Sequence, residues 1–168
     1  NSPAYWDLKK EKTKTQRKLF DKYDKFNFKE YLSIIKECKK KNINFLTTLF
    51  DIDSISLYSK YLPLFKIASA DITNVPLLKA ISCQKKPVLL STGASQLDEI
   101  KFALKTMKLP EEQVCIMHCV LNYPTKDENA NLMFIETLKK NFRKYLIGYS
   151  DHVTPDENLT SVEVAWNL

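Results

Sequence analysis

The sequence predicts an α/β protein that forms part of a (β/α)8 TIM barrel, and three observations favour this fold. Short apolar runs alternate with stretches of helical periodicity, each apolar run ends in polar residues, and glycine is scarce. The 168 residues, of which 44% are hydrophobic and 27% are charged, suit a single globular domain with its own core. We therefore expect residues 1–168 to form the central part of one barrel domain.

Strands are predicted where short apolar runs are typical of buried β-structure. The five runs are residues 44–49, 64–68, 87–90, 114–119 and 145–148. Because helical segments separate the runs, the pattern predicts successive parallel βαβ units.

Helices are predicted where apolar residues recur every three or four positions. The clearest examples are residues 28–41, 97–107 and 131–142. Polar residues that suit helix N-caps occur at 51–54, at 73–74 and at Ser95.

Polar residues follow each predicted strand directly. They lie at residues 47–51, 69–71, 91–93, 118–123 and 149–152. The periodicity alone also fits an open doubly wound sheet, but such a sheet concentrates its ligand groups near one switch point. A barrel builds its active site from the carboxyl ends of several strands. Five polar ends in succession therefore favour the barrel.

Gly93 and Gly148 are the only glycines, so the glycine-rich loops that bind nucleotide phosphates are absent from the sequence. A bound phosphate must then be held by side chains, isolated backbone N–H groups or helix N-termini. Thr92 and Gly93 would allow the backbone to approach such a ligand closely.

The net charge of +6 raises the question of a nucleic-acid partner. Arg17 and Arg143 are the only arginines among 26 basic residues, whereas readers of phosphates and bases favour bidentate guanidinium groups. The lysines are scattered, so we predict a solvated lysine-rich surface and no nucleic-acid partner. A non-catalytic basic binding module is the alternative of a different class.

Location is predicted from what the sequence lacks. No apolar run approaches the roughly 20 residues of a membrane span, and the N-terminus has no signal-peptide pattern. We therefore expect a cytoplasmic protein with no membrane partner, cut from a longer chain because it lacks an initiator Met. The four cysteines (Cys38, Cys83, Cys115 and Cys119) have no paired C-x-x-C spacing and are expected to be reduced, mostly buried thiols.

Five motifs at the predicted strand ends are specific in combination. They are residues 45–51, 65–74, 87–93, 118–124 and 147–152, and residues 2–6 add a sixth, weaker one. In this order and at these separations they resemble the N-acetylneuraminate (sialic acid) synthase family, which includes the legionaminic and pseudaminic acid synthases. The resemblance covers essentially the whole chain.

The resemblance implies a condensation of phosphoenolpyruvate with an N-acetylated amino sugar, such as N-acetylmannosamine, to give a nonulosonic acid and phosphate. A legionaminic or pseudaminic acid synthase with a different acetamido sugar is the alternative within the same class. The resemblance also implies a divalent cation (Mn2+ or Mg2+) and a homodimer when full length. Barrel strands one, two and eight and a C-terminal antifreeze-like domain would lie outside this chain. We expect the isolated fragment to be inactive and poorly folded.

Lys66 is the first candidate site residue, because it lies within an otherwise apolar predicted strand where an unpaired lysine is costly. It could instead extend outward or pair with a carboxylate. The resemblance implies that it binds phosphoenolpyruvate and takes part in catalysis.

Thr48, Ser69 and Ser91 are hydroxyl residues near three successive strand ends. Such residues often cap the following helices. The resemblance implies that all three bind phosphoenolpyruvate.

The remaining candidates follow later strands or turns. His152 could be a surface histidine, but the resemblance implies that it binds the metal, with Asp151 orienting it. Asp71 stands where many relatives have glutamate, and either acts in acid–base catalysis or is a helix N-terminal carboxylate. The resemblance implies that Tyr123 binds the amino sugar and takes part in catalysis; alternatively, it packs under a loop.

The motif at 118–124 departs from the family pattern. Leu121 stands where some relatives place a polar residue that reaches phosphoenolpyruvate, and Asn122 is the candidate to replace it. His118 lies within a predicted strand and is expected to be a structural group.

Overall fold

The computed structural model describes residues 7–168, which fall into two compact units, Asn1–Ile43 and Asn44–Leu168. The motif at residues 2–6 lies outside the described residues. None of the described helices is long and apolar enough to cross a membrane.

The first unit contains two helices, α1 (Gln16–Tyr23) and α2 (Phe28–Lys40). The predicted helix at 28–41 is confirmed, and a capping box explains where it starts. Asn27 accepts a hydrogen bond from the Lys29 backbone N–H at 2.9 Å, and Glu30 accepts one from the Asn27 N–H at 2.6 Å. Neither helix buries a residue fully.

The second unit is built on a parallel sheet of four strands in the order β1-β2-β3-β4. The strands are β1 (Phe65–Ile67), β2 (Val88–Ser91), β3 (Val114–His118) and β4 (Leu146–Tyr149). Every neighbouring pair is parallel and consecutive in sequence. This is the strand order of a barrel segment. In an open doubly wound sheet the order in which successive strands are added reverses at a switch point, and no such reversal occurs among these four strands.

Five helices accompany the sheet: α3 (Ile52–Tyr58), α4 (Val75–Ser82), α5 (Leu97–Met107), α6 (Phe134–Asn141) and α7 (Thr160–Asn167). The predicted caps at Asp51 and Asn74 are confirmed, since their side chains accept hydrogen bonds from the N–H groups of Ser54 (2.7 Å) and Leu77 (3.3 Å). The prediction for Ser95 is wrong. Helix α5 is capped by Gln96, whose N–H donates to Glu99 at 2.8 Å.

The first predicted strand, at residues 44–49, is absent from the structure. A strand forms only where its backbone pairs with a neighbour, and β1 pairs on one side alone, with β2. Leu49 is the single buried residue of this run.

The two faces of the sheet differ in burial. Four side chains are fully buried on one face: Phe65, Ile67, Leu90 and Ile116. Burying each of them stabilises the fold by about 1.5–3 kcal/mol relative to leaving it exposed. The alternate residues form what we call the open face, which is largely half-buried. Its members are Lys66, Leu89, Ser91, Cys115 and Met117.

Candidate active site at the carboxyl edge of the sheet

The carboxyl ends of three consecutive strands meet at the Ser69 hydroxyl, which follows β1. Its Oγ accepts a hydrogen bond from the Gly93 N–H, beyond β2, at 2.9 Å. It also lies 3.3 Å from Sγ of Cys119, beyond β3. Ser69 is 8% exposed and Cys119 is 5% exposed, so the contact is shielded from water. The sequence analysis predicted Ser69 as a site residue, and the structure places it at the carboxyl edge of the sheet.

Gly93 is packed tightly against this pair. A Cβ at this position would lie 3.0 Å from Ser69 Oγ and 3.1 Å from both Cys119 Sγ and Leu121 Cδ2. The space that a side chain would need is therefore filled by the protein's own groups. Thr92, which precedes it, is buried and uses its hydroxyl to bond the Met117 carbonyl at 3.0 Å, which ties β2 to β3.

Two polar groups on the open face have no partner among the described residues. Ser91 is 2% exposed, and its Oγ makes no hydrogen bond. Lys66 is half-buried in β1 and forms no ion pair or hydrogen bond with the described part of the chain. It therefore does not pair with a neighbouring carboxylate, which was one of the alternatives. A buried hydroxyl without a partner costs about 1–3 kcal/mol, which a ligand could recover.

His152 and Tyr123 contact each other where the loops after β3 and β4 meet. Their ring centroids are 4.2 Å apart. Nδ1 of His152 lies 2.5 Å from the Val120 carbonyl oxygen, and the Thr125 N–H donates to the His152 carbonyl at 2.7 Å. Together these contacts fix the position of the histidine ring.

Asp151 does not hold His152 through a hydrogen bond, contrary to the predicted orienting role. Its Oδ1 accepts from the Tyr149 hydroxyl (2.7 Å) and the Val153 N–H (2.9 Å), and its Oδ2 accepts from the Ser161 hydroxyl (2.7 Å). Burial alone would raise the pKa of Asp151, but these hydrogen bonds outweigh it and the pKa lies below its usual value. The carboxylate thus connects β4 to α7.

His118 has the contacts of a structural group. It is buried, its Nε2 lies 2.9 Å from the Ala130 carbonyl oxygen, and its ring stacks on Tyr149 with centroids 5.8 Å apart. Burial lowers the pKa of His118, although the Ala130 contact partly opposes this effect, so the neutral imidazole is favoured.

Three predicted site residues make none of the contacts described so far. Thr48 is half-buried in the non-strand segment, and Asp71 accepts a hydrogen bond from the Asn74 side chain at 3.1 Å. Asn122 is exposed, and its backbone carbonyl accepts a hydrogen bond from the Thr125 hydroxyl. The Leu121 side chain, and not that of Asn122, is the one that reaches Gly93.

Sequence reasoning missed Cys119. It treated this residue as one of four thiols expected to be mostly buried, although Cys119 ends the predicted strand at 114–119 and lies within the motif at 118–124. That position was the available signal.

The fit of a divalent cation can be tested at His152. Because Nδ1 faces the Val120 carbonyl, Nε2 is the nitrogen that can carry a free lone pair, which is the usual arrangement in metal-binding histidines. Both Asp151 oxygens are already engaged. Over residues 7–168 there is no group of three or more His, Cys, Asp and Glu residues that could hold a metal. His152 therefore fits one ligand position, and the described residues do not complete the set.

A consecutive parallel sheet with hydroxyl, thiol and imidazole groups along its carboxyl edge defines a segment of a (β/α)-barrel protein. The chain belongs to the NeuB family, whose model matches residues 1–166. This result confirms the resemblance seen in the five sequence motifs.

Individual relatives agree with the family. The chain is 38% identical over 130 residues to the N,N'-diacetyllegionaminic acid synthase of Campylobacter jejuni, covering 75% of this chain and 39% of that protein. It is 33% identical over 132 residues to the N-acetylneuraminate-9-phosphate synthase of Drosophila melanogaster, covering 77% and 36%. The chain thus spans well under half the length of these relatives.

A solved structure shows the same fold. The N-acetylneuraminic acid synthetase of Leptospira borgpetersenii, crystallised with citrate, superimposes with a TM-score of 0.76 at 35% identity. The match covers 83% of this chain and 49% of the synthetase.

Proposed function

We propose that this protein is a transferase that condenses phosphoenolpyruvate with an N-acetylated amino sugar, giving a nonulosonic acid and phosphate. Membership of the NeuB family and the named synthases among its relatives support the reaction class. The structural observation that carries the proposal is a pair of polar groups on the open face, Lys66 and Ser91, that have no partner within residues 7–168.

Lys66 and Ser91 suit an anionic ligand. Both project from the same face of neighbouring strands, because Lys66 is level with Leu89 and Ser91 lies two residues further along β2. An ammonium group and a hydroxyl supply the charge and the donors that phosphate and carboxylate oxygens accept. Phosphoenolpyruvate offers both kinds of oxygen, and Ser69 and Thr48 supply further hydroxyls.

The chemistry follows from holding this anion still. C3 of phosphoenolpyruvate attacks the aldehyde carbon of the open-chain sugar, forming the new C–C bond. Water adds to C2, and the resulting tetrahedral intermediate expels phosphate as the C–O bond breaks. In this reaction Lys66 neutralises charge on the ligand and the hydroxyls orient it. Asp71 transfers protons to and from water, and Tyr123 contacts the sugar.

We propose that His152 contributes one ligand to a Mn2+ or Mg2+ ion. Such an ion would supply a Lewis acid for the aldehyde oxygen. The protein's part in this is the fixed ring of His152, held by the Val120 carbonyl and packed against Tyr123.

The acceptor sugar is one of several acetamido sugars. The relatives include synthases of N,N'-diacetyllegionaminic acid, of N-acetylneuraminate-9-phosphate and of pseudaminic acid. The identity is 38% to the N,N'-diacetyllegionaminic acid synthase and 28% to the pseudaminic acid synthase, which favours the acceptor of a legionaminic acid synthase as the second candidate substrate.

Phosphate release by the full-length protein tests the proposal. Phosphoenolpyruvate is supplied with each of a panel of mono- and diacetylated amino sugars, with Mn2+, with Mg2+ or with a chelator. We expect phosphate only when sugar and phosphoenolpyruvate are both present, and little with the chelator. No phosphate with any sugar, together with salt-sensitive nucleic-acid binding, would instead favour the basic binding module.

A further inference from the structure

A buried thiol contacts a hydroxyl that the proposed function assigns to phosphoenolpyruvate. Cys119 Sγ lies 3.3 Å from Ser69 Oγ, and both residues are more than nine-tenths buried. The proposed reaction makes no use of this thiol. We propose that Cys119 is a positioning residue that aims the Ser69 hydroxyl at the bound phosphoenolpyruvate, an inference that rests on the proposed function.

The hydrogen-bonding capacity of the hydroxyl explains the role. A serine hydroxyl has one hydrogen to donate and two lone pairs to accept. The Gly93 N–H occupies one lone pair at 2.9 Å. What remains at Ser69 is one hydrogen and one lone pair, and Cys119 is the neighbour that can pair with either.

A bound anion fixes the role of the thiol. Without a ligand, either the Ser69 hydroxyl or the Cys119 thiol can be the donor in their contact. A phosphate or carboxylate oxygen accepts a stronger hydrogen bond, so the hydroxyl hydrogen turns to the ligand. The Cys119 S–H then donates to the lone pair of Ser69 Oγ. The Gly93 contact persists in both arrangements and keeps Oγ in place.

Close packing makes the thiol hard to replace. A Cβ on Gly93 would lie within 3.1 Å of both Ser69 Oγ and Cys119 Sγ, so the three groups already touch. Removing the sulfur atom opens a space of about one atom, which the surrounding groups crowd and which offers a water molecule few polar partners. Water is therefore not expected to take over the donor role.

Phosphoenolpyruvate binding to the full-length protein, measured by calorimetry without sugar, tests this role. We expect Cys119→Ala to weaken affinity about five- to thirtyfold, the equivalent of one lost hydrogen bond. Cys119→Ser, which keeps a donor and an acceptor, should stay close to the wild type. Cys83→Ala removes an exposed thiol and serves as the matched control.

A double-mutant cycle separates positioning from packing. In a Ser69→Ala background the thiol has no hydroxyl to aim, so Cys119→Ala should cause no further loss of affinity. Urea unfolding of each variant measures the packing effect independently. If Cys119→Ala is too unstable to purify, Cys119→Val fills the space without a hydrogen bond and carries the same expectation.

The outcomes distinguish the two proposals. Wild-type protein that does not bind phosphoenolpyruvate overturns the proposed function and this role with it. Wild-type binding with unchanged affinity in Cys119→Ala overturns the role of the thiol alone. Equal losses in the serine and alanine variants, or additive losses in the Ser69→Ala background, also exclude positioning.

Discussion

The two compact units of the chain carry very different charges. Residues 1–43 contain 13 of the 26 basic residues and 6 of the 20 acidic residues, a net charge of +7. Residues 44–168 contain the other 13 basic and 14 acidic residues, a net charge of −1. The protein's excess of positive charge therefore belongs to the first unit, whereas the candidate active site lies within the second.

The lysines of the two units also differ in their surroundings. Lys40 and Lys41 are exposed and lie 3.9 Å and 3.7 Å from Glu37 carboxylate oxygens. Lys66 is half-buried within β1 and has no partner in the described residues. Exposed ion pairs contribute only about 0–1 kcal/mol to folding stability. A partly desolvated ammonium group, by contrast, interacts strongly with an anionic ligand. The position of a lysine in the fold thus indicates its function better than the net charge does.

The largest expected effect is on catalysis, and it should appear when a lysine of the second unit, but not one of the first, is changed to alanine. Lys66→Ala in the full-length protein should lower kcat/KM by roughly a hundredfold or more, because a charged hydrogen bond to phosphoenolpyruvate is lost. Phosphate-release kinetics measure this loss. The melting temperature should stay the same or rise, since an unpaired half-buried charge is removed.

Lys36→Ala is the matched control, an exposed lysine on α2. It should leave the kinetics unchanged. Near-normal turnover in Lys66→Ala would show that the open-face lysine is not a ligand, and equal losses in both variants would remove the contrast between the units.

Much of the second unit's fold could be predicted from local pattern. The last four predicted strands and the helix at 97–107 are confirmed, because an apolar run or an apolar face identifies a buried element wherever it lies. The run at 44–49 was predicted as a strand by the same criterion but pairs with no neighbouring strand. Strand formation depends on a pairing partner, which composition does not report.

The candidate site could be predicted only in part, for a related reason. Strand ends identify residues that share an edge, so Ser69, Ser91 and His152 were accessible from the sequence. Their partners depend on three-dimensional packing. The Cys119 contact with Ser69 spans 50 positions, and Val120, rather than the adjacent Asp151, holds His152.

A smaller effect should separate the two glycines of the second unit. Gly93→Ala places a Cβ against Ser69 Oγ, Cys119 Sγ and Leu121, which are held in the buried site. We expect a loss of about 1–3 kcal/mol in the free energy of unfolding and weaker phosphoenolpyruvate binding. Urea denaturation and calorimetry measure the two effects.

Gly148→Ala provides the comparison. Its Cβ would lie 2.6 Å from Met117 Sδ, but a methionine side chain can move aside. Stability should fall while phosphoenolpyruvate affinity stays near that of the wild type. Equal losses of affinity in the two variants would mean that Gly93 has no special place in the site.

The smallest effect is expected in the first unit, where most of the charge lies. Changing Lys39, Lys40 and Lys41 together to Gln lowers the net charge of residues 1–43 from +7 to +4. Because these side chains are exposed and their pairs with Glu37 are weak, unfolding should change by less than about 0.5 kcal/mol. The kinetic constants should not change, while retention on a cation-exchange column should fall. If wild-type protein instead bound nucleic acid with a steep salt dependence that the triple variant lost, the charge would itself be functional. The contrast between the units would then mark two separate activities, since a charge-dependent partner would use the lysines of the first unit, whereas Lys66 and Ser91 of the anion site lie in the second.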